Sequence, residues 1–457
     1  MATKKISRRQ AITAASAGAL GTFVNWSFPS FTIKSSVQQK LAINGGEKVH
    51  TGIWPEWPVW DQSAEKNINE MLRTGRWWRG NGEHVADFEQ RYAELMGVKR
   101  CLATASGTTA LITALKAIGV DAGDEVLVSP FTFIASYNVI FMNKALPVFV
   151  DSDPDTFLMD PAKIESRITD RTTAILPVHI YGLPVDMDKI VAIAAKHNLK
   201  VIEDACQGWL GEYKGKMLGS LGDAGCFSFQ NSKNIPIGEC GAIVSDDDEY
   251  MDRCYSYHNY GNPYGTVIGE VGAGTVMAGT KLRITEYQAA IGLAQLKRLD
   301  AQTTIRHKSA EYLKSRIGRI PGILTYKLNP GVTRVSYHIF PFRYRKQEFR
   351  GLSREQFIRA LEAEGIPSWG GYTPLNKMPY LKNAFLSKNF KLMYQPEMLD
   401  YDKYMERNQC PLNDQLCEEA VWLMQNILLG DRSDMDDIAN AIERIHKNAE
   451  KIKNALS

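Results

Sequence analysis

The chain has 457 residues, 44% hydrophobic and 23% charged, with a formal net charge of +3. That length supports a large core and two domains or three, and the composition is that of a globular enzyme. The near-balanced charge, with no basic stripe interleaved with aromatics, argues against nucleic acid as a partner, and no run reaches the roughly 18 apolar residues needed to span a bilayer.

In chain order, Lys4, Lys5, Ser7, Arg8 and Arg9 precede a weakly apolar Ala/Gly/Thr run to about Val24. This is the layout of a twin-arginine export signal. Residues 1–40 are therefore expected to be signal and linker, carrying folded protein to the periplasm and touching the membrane only there. With no A-x-A site before Pro29 the segment is expected to stay attached; the alternative is a basic leader on a cytoplasmic protein. The prolines of the 54–60 stretch exclude regular structure, and an amphipathic helix is expected over 61–73. Apolar runs at 101–105, 125–129, 147–151, 173–178, 200–203, 225–229 and 242–245 alternate with helical patterns such as 108–118 and 186–197. Continuous apolar strands alternating with helices predict an α/β fold, a mostly parallel sheet covered on both faces, with ligands at the strands' carboxyl ends. A long helix over 286–317 leads to a smaller α+β part with a strand at 337–343 and helices at 353–363 and 434–454. The expected division is 41–300 for a large domain and 301–457 for a small one.

The stretch from Glu203 to Gly241 carries the chemistry. Asp204 ends one apolar run, Gln207 follows three residues later, Ser228 ends another run, and Lys233 lies five residues beyond it. An acid, an amide, a hydroxyl and an amine in that order suit pyridoxal 5'-phosphate: the amine to hold it covalently, the carboxylate to keep its ring nitrogen protonated, the amide for its phenolic oxygen, the hydroxyl for its phosphate. Taken singly, each has an ordinary reading: a solvated lysine, a helix-capping aspartate, an exposed glutamine. Ser106-Gly107-Thr108-Thr109 joins a strand to a helix, where backbone N–H groups can receive a phosphate.

Together with Leu41 to Gly46, Val178 to Gly182 and Glu286 to Ala290, these elements resemble the DegT/StrS family of pyridoxal-phosphate-dependent sugar and cyclitol aminotransferases. Glu203-Asp204-Ala205-Cys206-Gln207 is similar to its E-D-x-x-Q element, and Phe227-Ser228-Phe229, Lys233 and Gly238-Glu239-Cys240-Gly241 to its F-S-F-x-x-x-K and G-E-G-G elements. The resemblance implies a three-layer, fold-type-I transferase with Lys233 and Asp204 catalytic. It implies cofactor contacts from Gly107, Thr108, Phe133, Asp204, Gln207, Ser228 and Lys233, and a homodimer with shared active sites. The element whose asparagine reaches the neighbouring subunit's phosphate reads Gly279-Thr280-Lys281-Leu282-Arg283 here, so Lys281 stands in for the amide. Cys240 replaces a glycine and is expected to bring a thiol close to Lys233.

The implied activity moves an amino group from L-glutamate or L-glutamine to a keto-sugar or a keto-cyclitol of the scyllo-inosose kind. A dehydratase or epimerase relative, or a non-catalytic exported sugar-binding protein, are the alternatives; retention of lysine at 233 weighs against both. No metal is expected. Asp151-Ser152-Asp153-Pro154-Asp155 imitates a calcium loop but lacks its glycine and terminal glutamate. The histidines have no zinc spacing. Gly269 to Gly274 has the wrong spacing for a dinucleotide fingerprint. The seven cysteines lack a C-x-x-C pair and are read mostly as small buried hydrophobes.

Overall fold

The computed structural model describes residues 40–266 and 274–456; the arginine pair of the leader and most of the 269–274 glycine segment lie outside the described residues. The apolar runs between 100 and 245 become one seven-stranded sheet: β1 (Arg100–Thr104), β2 (Glu125–Val128), β3 (Leu146–Phe149), β4 (Thr172–Leu176), β5 (Lys200–Asp204), β6 (Ala224–Ser228) and β7 (Gly241–Ser245). Their spatial order is β1-β7-β6-β5-β4-β2-β3. From β6 to β3 all neighbours are parallel, while β7 runs antiparallel to both β6 and β1. Every residue of β2, β3, β6 and β7 is buried, which is why those runs are apolar throughout rather than alternating.

Several helices begin where side chains can receive their free N–H groups. Asp61 accepts from Ala64 N at 2.9 Å and starts α1 (Gln62–Arg73). After α2 (His84–Met96), a capping box of Ser106 and Thr109 starts α3 (Gly107–Ala117). Then follow α4 (Ala135–Met142), α5 (Met187–His197) and α6 (Asp248–His258). A second capping box, Thr285 with Gln288, opens the 32-residue α7 (Glu286–Ile317) at its expected bounds. The helix expected over 434–454 is instead two, Arg432–Lys447 and Ala449–Leu456. It starts early because Asp431 caps it, and it breaks at Asn448, whose amide donates back to Arg444 O at 2.9 Å.

A second, antiparallel sheet contains β8 (Ile323–Thr325), β9 (Ile339–Tyr344), β10 (Trp369–Gly370) and β11 (Ala420–Met424), in the order β8-β9-β11-β10. Its residues Ile339, Trp422 and Met424 reach the cavity at the carboxyl ends of β5 and β6. The 54–60 stretch is irregular, as its prolines require, and Trp57 Nε1 donates to Lys233 O at 3.1 Å. Asp151 and Asp155 of the calcium-like segment are occupied structurally. Asp151 accepts from Asn413 N at 2.8 Å and pairs with Lys163 at 3.0 Å; Asp155 pairs with Lys327 and Arg343. Five of the seven cysteines are buried, Cys101 and Cys206 partly so.

Candidate active site

A cavity of about 640 Å³ opens where the ends of β5 and β6 meet the start of α3, a volume suited to a small-molecule site. Seven of the eight residues singled out in the sequence line it: Gly107, Thr108, Phe133, Asp204, Gln207, Ser228 and Lys233. Lys281 is exposed and does not.

Why acidic residues stand consecutively at the end of β5 becomes clear from their opposite directions. Glu203 is fully buried and points away from the cavity. It accepts from Gly219 N (2.8 Å), Leu221 N and Gly222 N (each 2.7 Å), and from His179 Nε2 at 2.9 Å. His179 accepts Val185 N–H at Nδ1, which leaves Nε2 as the donor to Glu203. Glu203 therefore ties two loops to the strand end and fixes Asp204 beside it. Asp204, 4% exposed, accepts from Ser136 Oγ at 2.7 Å and from Cys206 N at 3.1 Å. Ser136 is itself bonded to Thr132 Oγ1 at 2.7 Å, so the carboxylate is fixed from two sides.

Gln207 accepts Tyr181 N–H at 2.7 Å, which sets the amide's orientation and turns its NH₂ toward Tyr372 Oη at 3.3 Å. Burial pushes the Tyr372 phenol up to about 12, with Gln207 opposing, so it remains protonated. Lys233 sits in a loop closed by Phe229 N to Cys240 O and Asn231 N to Gly238 O. Desolvation lowers its amine below the ordinary lysine value, against smaller opposing influences from Cys206 and Asp204. A lowered amine is the state that a nucleophile and proton carrier needs.

The start of α3 is packed hard against β6. A Cβ on Gly107 would lie 2.7 Å from Ser228 Cβ and 2.9 Å from Cys206 Sγ; one on Gly241 would lie 2.3 Å from Ser106 O. Only glycines allow this approach. Thr109 N and Ala110 N go to Ser106, but the helix offers no acceptor to the N–H groups of Gly107 and Thr108. With the Ser228 hydroxyl they form a cradle for an anion, favoured by the helix dipole.

Phe133 is 56% exposed at the cavity wall, whereas Phe131 is fully buried among Tyr181, Tyr372 and Phe157. The thiol beside Lys233 is Cys206, not Cys240. Cys206 lines the cavity, while Cys240 is buried in the aromatic cluster containing Phe88, Tyr92, Phe227 and Phe229 and is not among the lining residues. Being next to a turn in sequence does not put a side chain on the turn's inner face. Sequence reasoning missed Ser136, His338, Tyr372, Trp422 and Met424, all in the lining. Ser136 follows Thr132 at a one-turn spacing, a weak signal; Tyr372 and Trp422 are brought in only by the second sheet.

The residues present fit pyridoxal phosphate: a glycine-lined anion cradle, a fixed carboxylate, an oriented amide and a desolvated amine share one cavity. A mostly parallel sheet carrying that donor set at its strand ends defines a fold-type-I pyridoxal-phosphate enzyme. The DegT/DnrJ/EryC1/StrS aminotransferase family model matches residues 59–395, and the chain belongs to that family. It is 34% identical over 419 residues to an L-glutamine:2-deoxy-scyllo-inosose aminotransferase of Streptoalloteichus tenebrarius, covering 89% of this chain and 97% of the relative. It is 31% identical over 427 residues to the L-glutamine:scyllo-inosose aminotransferase of Streptomyces griseus, covering 91% and 100%. Among solved structures, an aminotransferase from Psychrobacter cryohalolentis superposes with a TM-score of 0.76 at 29% identity, over 87% of this chain and 100% of the other. A 3-amino-5-hydroxybenzoic acid synthase does so with a TM-score of 0.75 at 29% identity, over 86% and 99%. The chain is a pyridoxal-phosphate-dependent aminotransferase.

Proposed function

We propose that this aminotransferase takes its amino group from L-glutamine and delivers it to a six-membered keto-cyclitol of the scyllo-inosose kind. The carrying observation is that relatives of that activity match over nearly their whole length, together with a complete Asp204, Gln207, Ser228 and Lys233 set around one cavity. Pyridoxal phosphate supplies, when bound, an electron sink and a temporary carrier for the amino group. Lys233 holds it and, when released, carries the proton at the donor and acceptor carbons with its lowered amine. Asp204, fixed by Ser136 and Cys206 N–H, holds positive charge at the ring nitrogen. Gln207 would meet the phenolic oxygen, and Gly107, Thr108 and Ser228 would hold the phosphate. Phe133 would lie against the ring, and Tyr372 and Trp422 line the same cavity and would bound the space left for the cyclitol. The intact lysine supports transamination over the dehydratase, epimerase or binding-only alternatives.

We infer a homodimer in which Lys281 serves the neighbouring site. Lys281 is exposed and outside its own cavity, and Trp77, Trp78, Tyr260 and Tyr287 are exposed large aromatics on the segments around it. A monomer by sedimentation would overturn this. Export by the twin-arginine route is proposed on Arg8 and Arg9; fractionating cells that carry wild type or the Arg8→Lys, Arg9→Lys double variant decides it, and identical cytoplasmic retention refutes it. The substrate proposal is tested by supplying purified protein with L-glutamine or L-glutamate against a panel of keto-cyclitols and keto-sugars. Turnover should be highest with glutamine and a cyclitol ketone; turnover confined to nucleotide-linked keto-sugars would refute it.

A further inference from the structure

His338 is buried and reaches the cavity just before β9. Its two nitrogens face different partners. Nδ1 lies 3.4 Å from Asn234 Oδ1, and Nε2 lies 3.4 Å from Lys233 Nζ. The Asn234 amide cannot be read the other way round, because its Nδ2 already donates to Ser336 O at 3.1 Å. Oδ1 therefore faces His338 as an acceptor, the histidine proton sits on Nδ1, and Nε2 presents a bare lone pair to the Lys233 amine. The Trp209 ring, T-shaped to the imidazole with centroids 5.6 Å apart, packs it in place.

Burial keeps the imidazole neutral, and the positive charges of Lys233, which faces it from one side, and of Arg306 of α7 act in the same sense. Arg306 is itself buried, donating from Nε and Nη2 to Gln425 Oε1 at 2.8 and 2.6 Å and lying 5.0 Å over Trp57. The groups acting on Lys233 from the β5 end are Asp204 and Cys206, and Glu239 and Tyr372 complete the titratable lining.

We propose that His338 is a positioning residue for Lys233: oriented by Asn234, it accepts a hydrogen bond from the lysine amine and holds that amine over the cavity whenever it is not covalently engaged. The inference rests on the reading of Lys233 as the cofactor lysine. Both contacts are long for hydrogen bonds, so His338 restrains the amine without competing with the cofactor for it.

The test is competitive acetylation of the full-length, cofactor-stripped chain with trace acetic anhydride across about pH 6 to about 11, following the Lys233 peptide against exposed Lys216 by mass spectrometry. A neutral acceptor favours the charged amine over the neutral one. His338→Leu should therefore lower the Lys233 midpoint by about one pH unit, and His338→Gln, whose amide oxygen replaces the lone pair, should restore most of it. Asn234→Leu leaves the imidazole but frees its tautomer, and should shift the midpoint in the same direction by less. Packing loss alone moves the leucine and glutamine variants together, so equal midpoints in the two overturn the proposal, as does an unmoved midpoint in both leucine variants. Should His338→Leu not fold, the His338→Gln and Asn234→Leu titrations decide alone: a midpoint near wild type in the first with a lowered one in the second supports the proposal, and any other pair overturns it. Added pyridoxal phosphate should protect Lys233 of the wild type from acetylation. Absence of protection faults the cofactor reading of Lys233, not the His338 contact.

Discussion

Glu203→Gln should loosen the strand end that holds Asp204, and its cost can be worked from the structure. The carboxylate receives four donors, two on each oxygen: Leu221 N and Gly222 N on Oε1, Gly219 N and His179 Nε2 on Oε2. Glutamine replaces one oxygen with NH₂, so in either orientation two buried donors face another donor. Each buried unpartnered donor costs about 1–3 kcal/mol, giving ~2–6 kcal/mol in all. For a folded body of roughly 400 residues, the entropy of unfolding at the midpoint is about 0.9 kcal/mol/K, so the expected fall in Tm is ~2–7 °C. Thermal scans at fixed rate, with cofactor absorbance followed alongside, measure both expected effects: a lower midpoint and weaker cofactor retention. Glu203→Asp, one methylene shorter, cannot span the four donors and should fall likewise. A Glu203→Gln variant within about 1 °C of wild type and fully loaded with cofactor would refute the argument, because ~2 kcal/mol is its smallest allowed cost.

Asp204→Asn keeps the shape and the bond from Cys206 N, with the Ser136 hydroxyl turning to accept from the new NH₂, but not the charge. Removing a unit charge about 4 Å from another at an effective dielectric of about 20 costs ~4 kcal/mol, roughly a thousandfold in kcat with the fold intact, and a near wild-type rate would refute the role. Gly107→Ala forces a Cβ to 2.7 Å from Ser228 Cβ; overpacking of about 1–3 kcal/mol falls on the anion cradle, so cofactor titration by absorbance should show about tenfold weaker binding or more. His258 is buried beside Arg79, and burial followed by that charge lowers it from 6.5 to about 3. Its folded value lies below the unfolded one, so its contribution to stability is complete above pH 6.5 and is lost as pH falls toward about 3. His258→Gln should flatten the fall of Tm between those limits; superimposable profiles would contradict this.

Much of this was legible in the sequence because the chemistry is local. The donor set falls within thirty residues, the strands carry uninterrupted apolar runs, and the helices expected over 108–118 and 286–317 start within a residue of where they are found. The division of labour between Glu203 and Asp204 was not legible: period-two alternation puts neighbours on opposite faces, but only the packed loops show which side is the cavity. The thiol was misplaced for the same reason, since Cys240 turns into the core and Cys206, two residues past Asp204, reaches the site. His338, Tyr372 and Trp422 come from more than 100 residues beyond Lys233 and are set by β9, β11 and the loop after β10, a long-range arrangement with no local signature.

Lys233 carries the cofactor through one covalent attachment, and that attachment can be trapped. Borohydride reduction of the purified, cofactor-loaded protein, followed by proteolysis and mass mapping, locks the pyridoxyl group onto the lysine that held it. The desolvated amine at the cavity predicts a single adduct on Lys233, absent in Lys233→Ala, with glutamine-dependent turnover lost by several orders of magnitude in that variant. An adduct on Lys214, Lys216 or Lys281, with Lys233 unmodified, would contradict it.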